Sequence, residues 1–195
     1  MDHQTDQYYI TKTLKGEINA FSTLVERYQT FVYTIAYRVV KNKEIAEEVA
    51  QDSFVKAYES LNTYREEAKF STWLYTIVYR KSLDIIKAGK KKMIFESLGE
   101  IQENKISFID DALYQLQVKE RKKVISDSIM KLQEDEAIII TLYYFEEKNI
   151  REIAAIIDLT LDNVKIKLYR SRKKLYSILK HYLSPEICDK NGRAI

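Results

Sequence analysis

The stretch that decides the fold is NIREIAAIIDLTLDNVKIKLYRSRKKLYSIL, residues 149–179. Apolar residues recur at helical spacing in its first part, which predicts a short helix. The inner stripe of this helix is Ile150, Ile153, Ala154 and Ile157. Asp158 stands where the chain must turn, and Asp tolerates the left-handed backbone conformation better than most residues. Thr160 can then cap a second helix, with Leu159 and Val164 as a hydrophobic staple. The pattern predicts a helix-turn-helix.

The second helix of this motif has an apolar inner face and a basic outer face. The inner residues are Val164, Leu168, Leu175 and Leu179. The outward residues and their basic flanks are Asn163, Lys165, Ile166, Lys167, Tyr169, Arg170, Arg172 and Lys173. Residues 163–183 contain no acidic side chain, and such a one-signed face attracts phosphates. A solvated amphipathic surface is the alternative interpretation, but the cap, the staple and the basic face together favour binding in the DNA major groove.

The composition excludes several classes of protein. Four Gly and one Pro are too few for folds rich in tight turns, which favours an all-α fold. One Cys and two His exclude a disulfide scaffold and make a metal site improbable. There is no Gly-rich phosphate loop and no nucleophile–base pairing, so we expect no catalytic residues and no cofactor.

The amino terminus and the longest apolar run of the sequence bear on the cellular compartment in which we expect the protein. The amino terminus, MDHQTDQYYI, has no signal-peptide pattern. The longest strongly apolar stretch, AIIITLYYF, is far short of the roughly 20 residues that span a bilayer. We therefore expect a cytoplasmic protein without direct membrane insertion.

The periodicity predicts two small helical domains joined by a flexible linker. Residues 1–88 form the first domain, and its third helix is expected to start near Ser71 or Thr72 and to stop at Gly89. Residues 89–111 are polar, contain two glycines and lack a sustained amphipathic face, which is typical of a linker. Residues 112–183 form the second domain, with the helix-turn-helix, and residues 184–195 form a polar tail.

A helix in the first domain carries two different faces. Ala46, Ala50, Ser53 and Ala57 form a stripe of small residues that allows close helix packing. Glu44, Glu48 and Gln51 lie on another face, at spacings of four and three residues.

Three fragments together resemble a known family. They are IAEEVAQDSFVKAY (45–58), REEAKFSTWLYTIVYRKSLDIIK (65–87) and LQEDEAIIITLYYFEEKNIREIAAIIDLTLDNVKIKLYRSRKKL (132–175). In this order and spacing they are similar to the extracytoplasmic-function (ECF) group of bacterial RNA polymerase sigma factors, over residues 14–183. The resemblance implies promoter-specific transcription initiation: binding of core RNA polymerase, reading of promoter DNA at the −10 and −35 elements, and help with melting. It also implies a cognate anti-sigma factor, whereas RNA synthesis would belong to the polymerase.

The resemblance assigns residues to three surfaces. The helix-turn-helix residues given above would read the −35 element. The residues expected at the −10 element and in melting are Tyr64, Arg65, Lys69, Thr72, Trp73, Tyr79 and Arg80. Aromatic faces there could stack unpaired bases and the cations could contact phosphates, although a core position is the commoner role for Trp73. The residues expected to bind polymerase are Glu44, Glu48, Gln51 and Asp52.

The chain also departs from the family pattern. Gln133 stands where Pro is usual, and Glu147 and Asp158 stand where Gly is common, all at turns. Tyr79-Arg80 and Ile166 lie near DNA-reading positions, so the resemblance does not carry over a promoter sequence.

Two other functions remain open from the residues alone. One is a stand-alone helix-turn-helix regulator, which would bind duplex DNA without polymerase. The other is a helical enzyme or RNA-binding module, which would need a pocket with convergent polar groups.

Overall fold

The computed structural model describes residues 4–92 and 111–180, with side chains in 4–88 and 120–180. All regular structure in these ranges is helical, which confirms the expected fold class. The first four helices are α1 (Asp6–Leu14), α2 (Ile18–Val40), α3 (Lys43–Glu59) and α4 (Phe70–Lys92), with a 3-10 turn at Leu61–Thr63. The next four are α5 (Asp111–Met130), α6 (Glu134–Tyr144), α7 (Ile150–Ile157) and α8 (Leu161–Leu179). We call α1–α4 the N-terminal domain and α5–α8 the C-terminal domain.

The N-terminal domain is built around α2, which packs against α1, α3 and α4. Small side chains let α3 lie close to its neighbours: Ala46, Ser53 and Ala57 are completely buried. Ala50 is partly buried against the same core. The predicted stripe of small residues is therefore the packing face of α3.

Helix α1 was not anticipated from the sequence, where the periodicity was expected to begin at residue 14. Its single fully buried apolar side chain is Ile10. Polar contacts secure its first turn, because Asp6 forms an ion pair with Arg27 and accepts a 2.5 Å hydrogen bond from the Tyr28 hydroxyl. A helix of nine residues depends on such tertiary contacts, since isolated helices of this length are marginal in water.

The C-terminal domain is built around α6, which contacts α5, α7 and α8. Ile138, Ile139 and Leu142 are completely buried, and Tyr143 is partly buried. A helix that is apolar on all sides must be surrounded, and α6 meets this condition.

Three turn positions show how the chain accommodates its departures from the pattern that it resembles. Gln133 has φ −66°, which is the value that a Pro ring would fix. Glu147 and Asp158 have φ of 49° and 56°, in the left-handed region that Gly adopts most easily. Each of these residues therefore adopts a backbone conformation that the residue usual in the pattern would favour.

The start of α4 differs slightly from prediction. Either Ser71 or Thr72 was expected to cap the helix, but the helix begins at Phe70. The Thr72 amide already donates to the Lys69 carbonyl at 2.9 Å, so both candidate caps lie inside the first turn.

The prediction that α4 stops at Gly89 is wrong, because the helix continues to Lys92. Gly costs about 1 kcal/mol inside a helix but does not end one by itself. The three lysines at 90–92 favour continuation, since cations are stabilised at the carboxyl end of a helix.

Two predicted segments fall outside the described residues. These are positions 93–110 of the proposed linker and the whole of the proposed tail, 184–195. In the part that the structure does describe, no helix is long and apolar enough to cross a membrane.

The two domains pack directly against each other. Helix α4 contacts α7, and α2 contacts α6, so that the buried apolar side chains of both domains form one continuous cluster. The Arg38 guanidinium donates to the Ser126 carbonyl and hydroxyl at 2.9 and 3.0 Å, and Lys41 Nζ donates to the Leu132 carbonyl at 2.8 Å. The sequence predicted two separate bodies and gave no sign of this interface.

Candidate nucleic-acid interface

The helix-turn-helix is fixed by caps at both of its helices. Thr160 Oγ1 accepts from the Asn163 amide at 3.3 Å, as predicted. Asn149 Oδ1 accepts from the amides of Arg151 and Glu152, and the Glu152 carboxylate accepts from the Asn149 amide, all at 3.0 Å. This second arrangement is a capping box, and the Asn-x-x-Glu pattern in the sequence was the signal that could have revealed it.

The outer face of α8 is exposed as the periodicity predicted. Val164 and Leu168 are buried and Leu175 packs partly against the core. The predicted outward residues that are exposed are Asn163, Lys165, Ile166, Tyr169, Arg170, Arg172 and Lys173. Tyr169 is 63% exposed, which leaves an aromatic face in solvent beside the cations.

The cations of α8 are not equally available to a ligand. Lys167 is only half-exposed and forms an ion pair with Asp135 of α6. The Arg172 guanidinium lies over the rings of Tyr143 and Tyr144, with centroid distances of 5.0 and 5.4 Å. Arg170 is exposed and has no ion pair within the described residues.

A second basic and aromatic surface lies where the 3-10 turn leads into α4. The rings of Tyr64, Phe70 and Trp73 are mutually in contact, with centroids 5.6–5.8 Å apart. Phe70 is buried, whereas Tyr64 and Trp73 are half-buried. Arg65 and Lys69 are exposed in the loop, as expected. Aromatic ring surface and positive charge therefore occur together here.

Two predicted members of this surface are buried, and both lie near carboxylates of the C-terminal domain. Thr72 is 2% exposed, and its hydroxyl donates to Glu152 of α7 at 3.5 Å. Tyr79 is 7% exposed; burial, followed by the nearby carboxylates of Asp135 and Glu134, raises its pKa to about 12. Arg80, one residue further on, is exposed.

A cavity of about 420 Å³ adjoins the loop, between it and the start of α1. Its lining includes the aromatic rings of Tyr28, Tyr64 and Phe70. Gln7 Nε2 donates to Glu66 Oε1 at 2.5 Å and so ties α1 to the loop. The sequence did not single out Gln7 or Glu66, because only the folded chain brings residues 59 positions apart together.

The outer face of α3 carries the predicted polymerase-binding group. Glu44, Glu48, Gln51 and Asp52 are all exposed. Asp52 forms a 2.6 Å ion pair with Lys81 of α4, so the other three side chains form the freer part of this acidic face.

A cluster of polar side chains joins α4 to the turn before α7 and was missed by sequence reasoning. Lys148 is 7% exposed, and its Nζ donates to Ser71 Oγ at 2.7 Å and lies 5.5 Å from the Tyr75 ring centroid. The Tyr75 hydroxyl donates to the Glu146 carboxylate. Burial lowers the pKa of Lys148 and raises the pKa of Glu146, because both charges are partly removed from water.

Comparison with known proteins identifies the family. The family model described as Sigma-70 region 2 matches residues 24–92, and the one described as Sigma-70, region 4 matches residues 110–175. The ECF RNA polymerase sigma-E factor of Haemophilus influenzae is 31% identical over 177 residues, covering 88% of this chain and 93% of the relative. The chain belongs to the ECF sigma factors. This ECF sigma factor is also 28% identical to the sigma factor SigW of Bacillus subtilis, over 85% of the chain and 92% of SigW.

Solved structures show the same fold. The structure of CnrH in complex with the cytosolic domain of CnrY aligns with a TM-score of 0.64 at 21% identity, covering 91% of the ECF sigma factor and 99% of CnrH. The sigma factor RpoE of Bartonella quintana, solved with the anti-sigma factor NepR, aligns with a TM-score of 0.64 at 17% identity, over 82% and 96% of the two chains. As a sigma factor, the protein directs promoter-specific transcription initiation.

Proposed function

We propose that the protein reads its promoters with two separate surfaces while bound to core RNA polymerase. Residues 1–88 would bind polymerase and read and melt the −10 element. Residues 89–111 would link this domain to residues 112–183, which would read the −35 element, and residues 184–195 would form a tail. The observation that carries the proposal is the exposed basic face of α8 on a helix-turn-helix that is capped at both helices.

The −35 assignment rests on the outer face of α8. Its exposed Lys165, Arg170 and Lys173 can contact phosphates or guanine edges, Asn163 can pair with adenine, and Ile166 can touch thymine methyl groups. Lys167 and Arg172 would take positioning roles, because their charges already hold α8 against α6. An α-helix with such a face fits the width of the major groove.

The −10 assignment rests on the aromatic cluster before α4. Tyr64 and Trp73 expose ring surface on which an unstacked base can lie, and stacking contributes about 1–3 kcal/mol per base. Arg65, Lys69 and Arg80 would hold the single-strand backbone. Thr72 and Tyr79 would join them once the C-terminal domain moves aside.

The acidic face of α3 would dock on a basic surface of the polymerase. Complementary charge between Glu44, Glu48 and the partner raises the association rate and fixes the register. RNA synthesis would belong to the polymerase, so we propose no enzymatic activity for this chain and a cytoplasmic site of action. The solved CnrH–CnrY and RpoE–NepR complexes support a further proposal, that a cognate anti-sigma factor binds this protein.

The test is run-off transcription by core polymerase on fragments of the genome, with and without the protein. We expect transcripts that appear only when both are present, and little specific duplex binding by the protein alone. Specific binding of the free protein to duplex DNA, without any polymerase-dependent transcript, would instead indicate a stand-alone helix-turn-helix regulator.

A further inference from the structure

The cavity beside the loop that precedes α4 is lined by distant parts of the chain. Residues 5–7 at the start of α1 contribute to its lining, and so does the loop between Tyr64 and Phe70. The rings of Tyr28 and Tyr64 lie 5.6 and 5.8 Å from the ring of Phe70, measured between centroids. A volume of about 420 Å³ with aromatic walls can hold one unstacked base. The polar side chains of the lining then determine which base is preferred there.

The loop is held in one conformation by contacts on both sides of its midpoint. Glu66 has φ 58°, in the left-handed region that is unfavourable for residues other than Gly. The Tyr64 hydroxyl donates to the Ala68 carbonyl at 2.7 Å, which ties the two ends of the loop together. Gln7 Nε2 of α1 donates to Glu66 Oε1 at 2.5 Å. A residue in such a conformation persists only where its surroundings fix it, so Gln7 helps to determine where the Glu66 carboxylate lies.

Two carboxylates line the cavity, and they are not equally available to a ligand. One oxygen of Asp6 accepts from the Arg27 guanidinium, and the other accepts from the Tyr28 hydroxyl at 2.5 Å. Glu66 accepts from Gln7 on Oε1, and it forms no ion pair within residues 4–88 and 120–180. A carboxylate has about four acceptor sites. Oε2 of Glu66 can therefore accept a further hydrogen bond from a ligand in the cavity.

We infer that Glu66, positioned by Gln7, determines which base the unpaired strand can place in this cavity: the carboxylate accepts from an exocyclic amino group, which adenine, cytosine and guanine carry and thymine lacks. This inference rests on the proposed −10 role of the loop. Acidic side chains accept in the same way from the amino group of cytosine in the major groove. Thymine presents its ring N–H between two carbonyl oxygens, and a carboxylate repels both of them. The promoter position that is read here should therefore hold an amino-bearing base.

Two substitutions and a matched control test this inference. Glu66→Gln replaces the acceptor by an amide that both donates and accepts, so that thymine can pair with it as well. Gln7→Ala removes the hydrogen bond from α1 and leaves the Glu66 carboxylate in place. Glu67→Gln is the control, because it removes the same charge from the next residue, which is exposed and lies outside the lining of the cavity. A thermal melt checks that each variant keeps its fold.

The assay is fluorescence anisotropy of holoenzyme on a forked DNA, with a double-stranded −35 element and a single-stranded −10 element. The sequence is that of a promoter fragment recovered by run-off transcription. Each −10 position carries in turn each of the four bases or an abasic site, and the abasic series identifies the position at which a base is captured. There, thymine in place of an amino-bearing base should lower the affinity of the parent holoenzyme by about tenfold, the factor that one hydrogen bond to a charged acceptor contributes.

The readout is the ratio of affinities for the amino-bearing base and for thymine. Glu66→Gln should reduce this ratio to about twofold, because an amide accommodates both kinds of base. Gln7→Ala should reduce it to about threefold, because the carboxylate is then no longer held in one position. Glu67→Gln should leave the ratio unchanged. A substitution that merely disturbed the loop would weaken binding to every template alike and would not alter the ratio.

The possible results separate this inference from the proposed function. If the parent protein gives no polymerase-dependent transcript, the proposed function fails. If it transcribes but tolerates thymine at every −10 position, the role of Glu66 is wrong and the proposed function stands. The same conclusion follows if Glu66→Gln and Glu67→Gln change the ratio equally, or if Glu66→Gln leaves it at the parent value. An unchanged ratio in Gln7→Ala overturns the positioning role of Gln7.

Discussion

The exposed Arg170 should contribute a phosphate contact that the paired Lys167 does not. Arg170 projects from the outer face of α8, whereas Lys167 is half-exposed and bound to Asp135. Each phosphate neutralised contributes about 0.9 to the slope of log K against log salt. Arg170→Ala should therefore lower the magnitude of that slope by about 0.9. Between about 50 and 200 mM salt, the loss of promoter affinity should then be about 3.5-fold smaller in the variant than in the parent protein. Lys167→Ala should lower it by less than half as much, because its ammonium must first leave a carboxylate.

The assay is fluorescence anisotropy of holoenzyme on a promoter fragment recovered by run-off transcription, repeated over a series of salt concentrations. The polymerase adds the same phosphate contacts in every case. The difference in slope between variant and parent therefore measures the contribution of the substituted side chain to the salt dependence. Asp135→Asn provides a second comparison, since it frees Lys167 and should steepen the slope. An Arg170→Ala slope equal to that of the parent, or an equal loss in Lys167→Ala, would refute the assignment of these two side chains.

Three other predictions concern docking, capping and pH. Glu48→Lys should weaken binding of core polymerase without lowering the melting temperature, because Glu48 is exposed; titration and a thermal melt check this, and unchanged affinity would argue against the α3 face. Asn149→Ala removes the cap of α7 and should destabilise the protein by about 1 kcal/mol, seen as a melting point lower by about 2–4 °C, whereas an unaltered melt would show that the cap is dispensable. Burial raises the pKa of Glu146 above its ordinary value, so the folded state binds the proton more tightly and stability falls as pH rises from 4.5 through the folded pKa. Glu146→Gln should abolish that fall in urea unfolding at a series of pH values, and a fall that persists would assign it to another group.

The helix-turn-helix could be predicted almost completely from local sequence. Asp158 adopts the left-handed conformation, Thr160 caps α8, and Val164 and Leu168 face inward, all as the pattern indicated. These features depend on residues within one or two turns of each other, so backbone sterics and periodicity are sufficient to determine them. The small-residue stripe of α3 and the buried run in α6 were predictable for the same reason.

The features that could not be predicted involve residues distant in the chain. Gln7 meets Glu66, Lys148 meets Ser71, and Arg38 meets Ser126 across 59, 77 and 88 positions. Each of these side chains is polar, and a polar residue in a helix is normally read as solvated surface. Helix α1 was missed for a related reason, since its order depends on Asp6 and its partners on α2 rather than on its own periodicity.

The sequence by itself determined that the chain is helical, that its second half ends in a capped basic helix, and that an acidic face lies on α3. These properties follow from the spacing of side chains along single helices, which the backbone geometry converts directly into faces. Only the tertiary structure decided that α7 rests on α4 and that Thr72 and Tyr79 are buried near carboxylates of the C-terminal domain. Contacts between helices depend on which surfaces meet in space, and the burial of a polar side chain depends on the partner that it finds there.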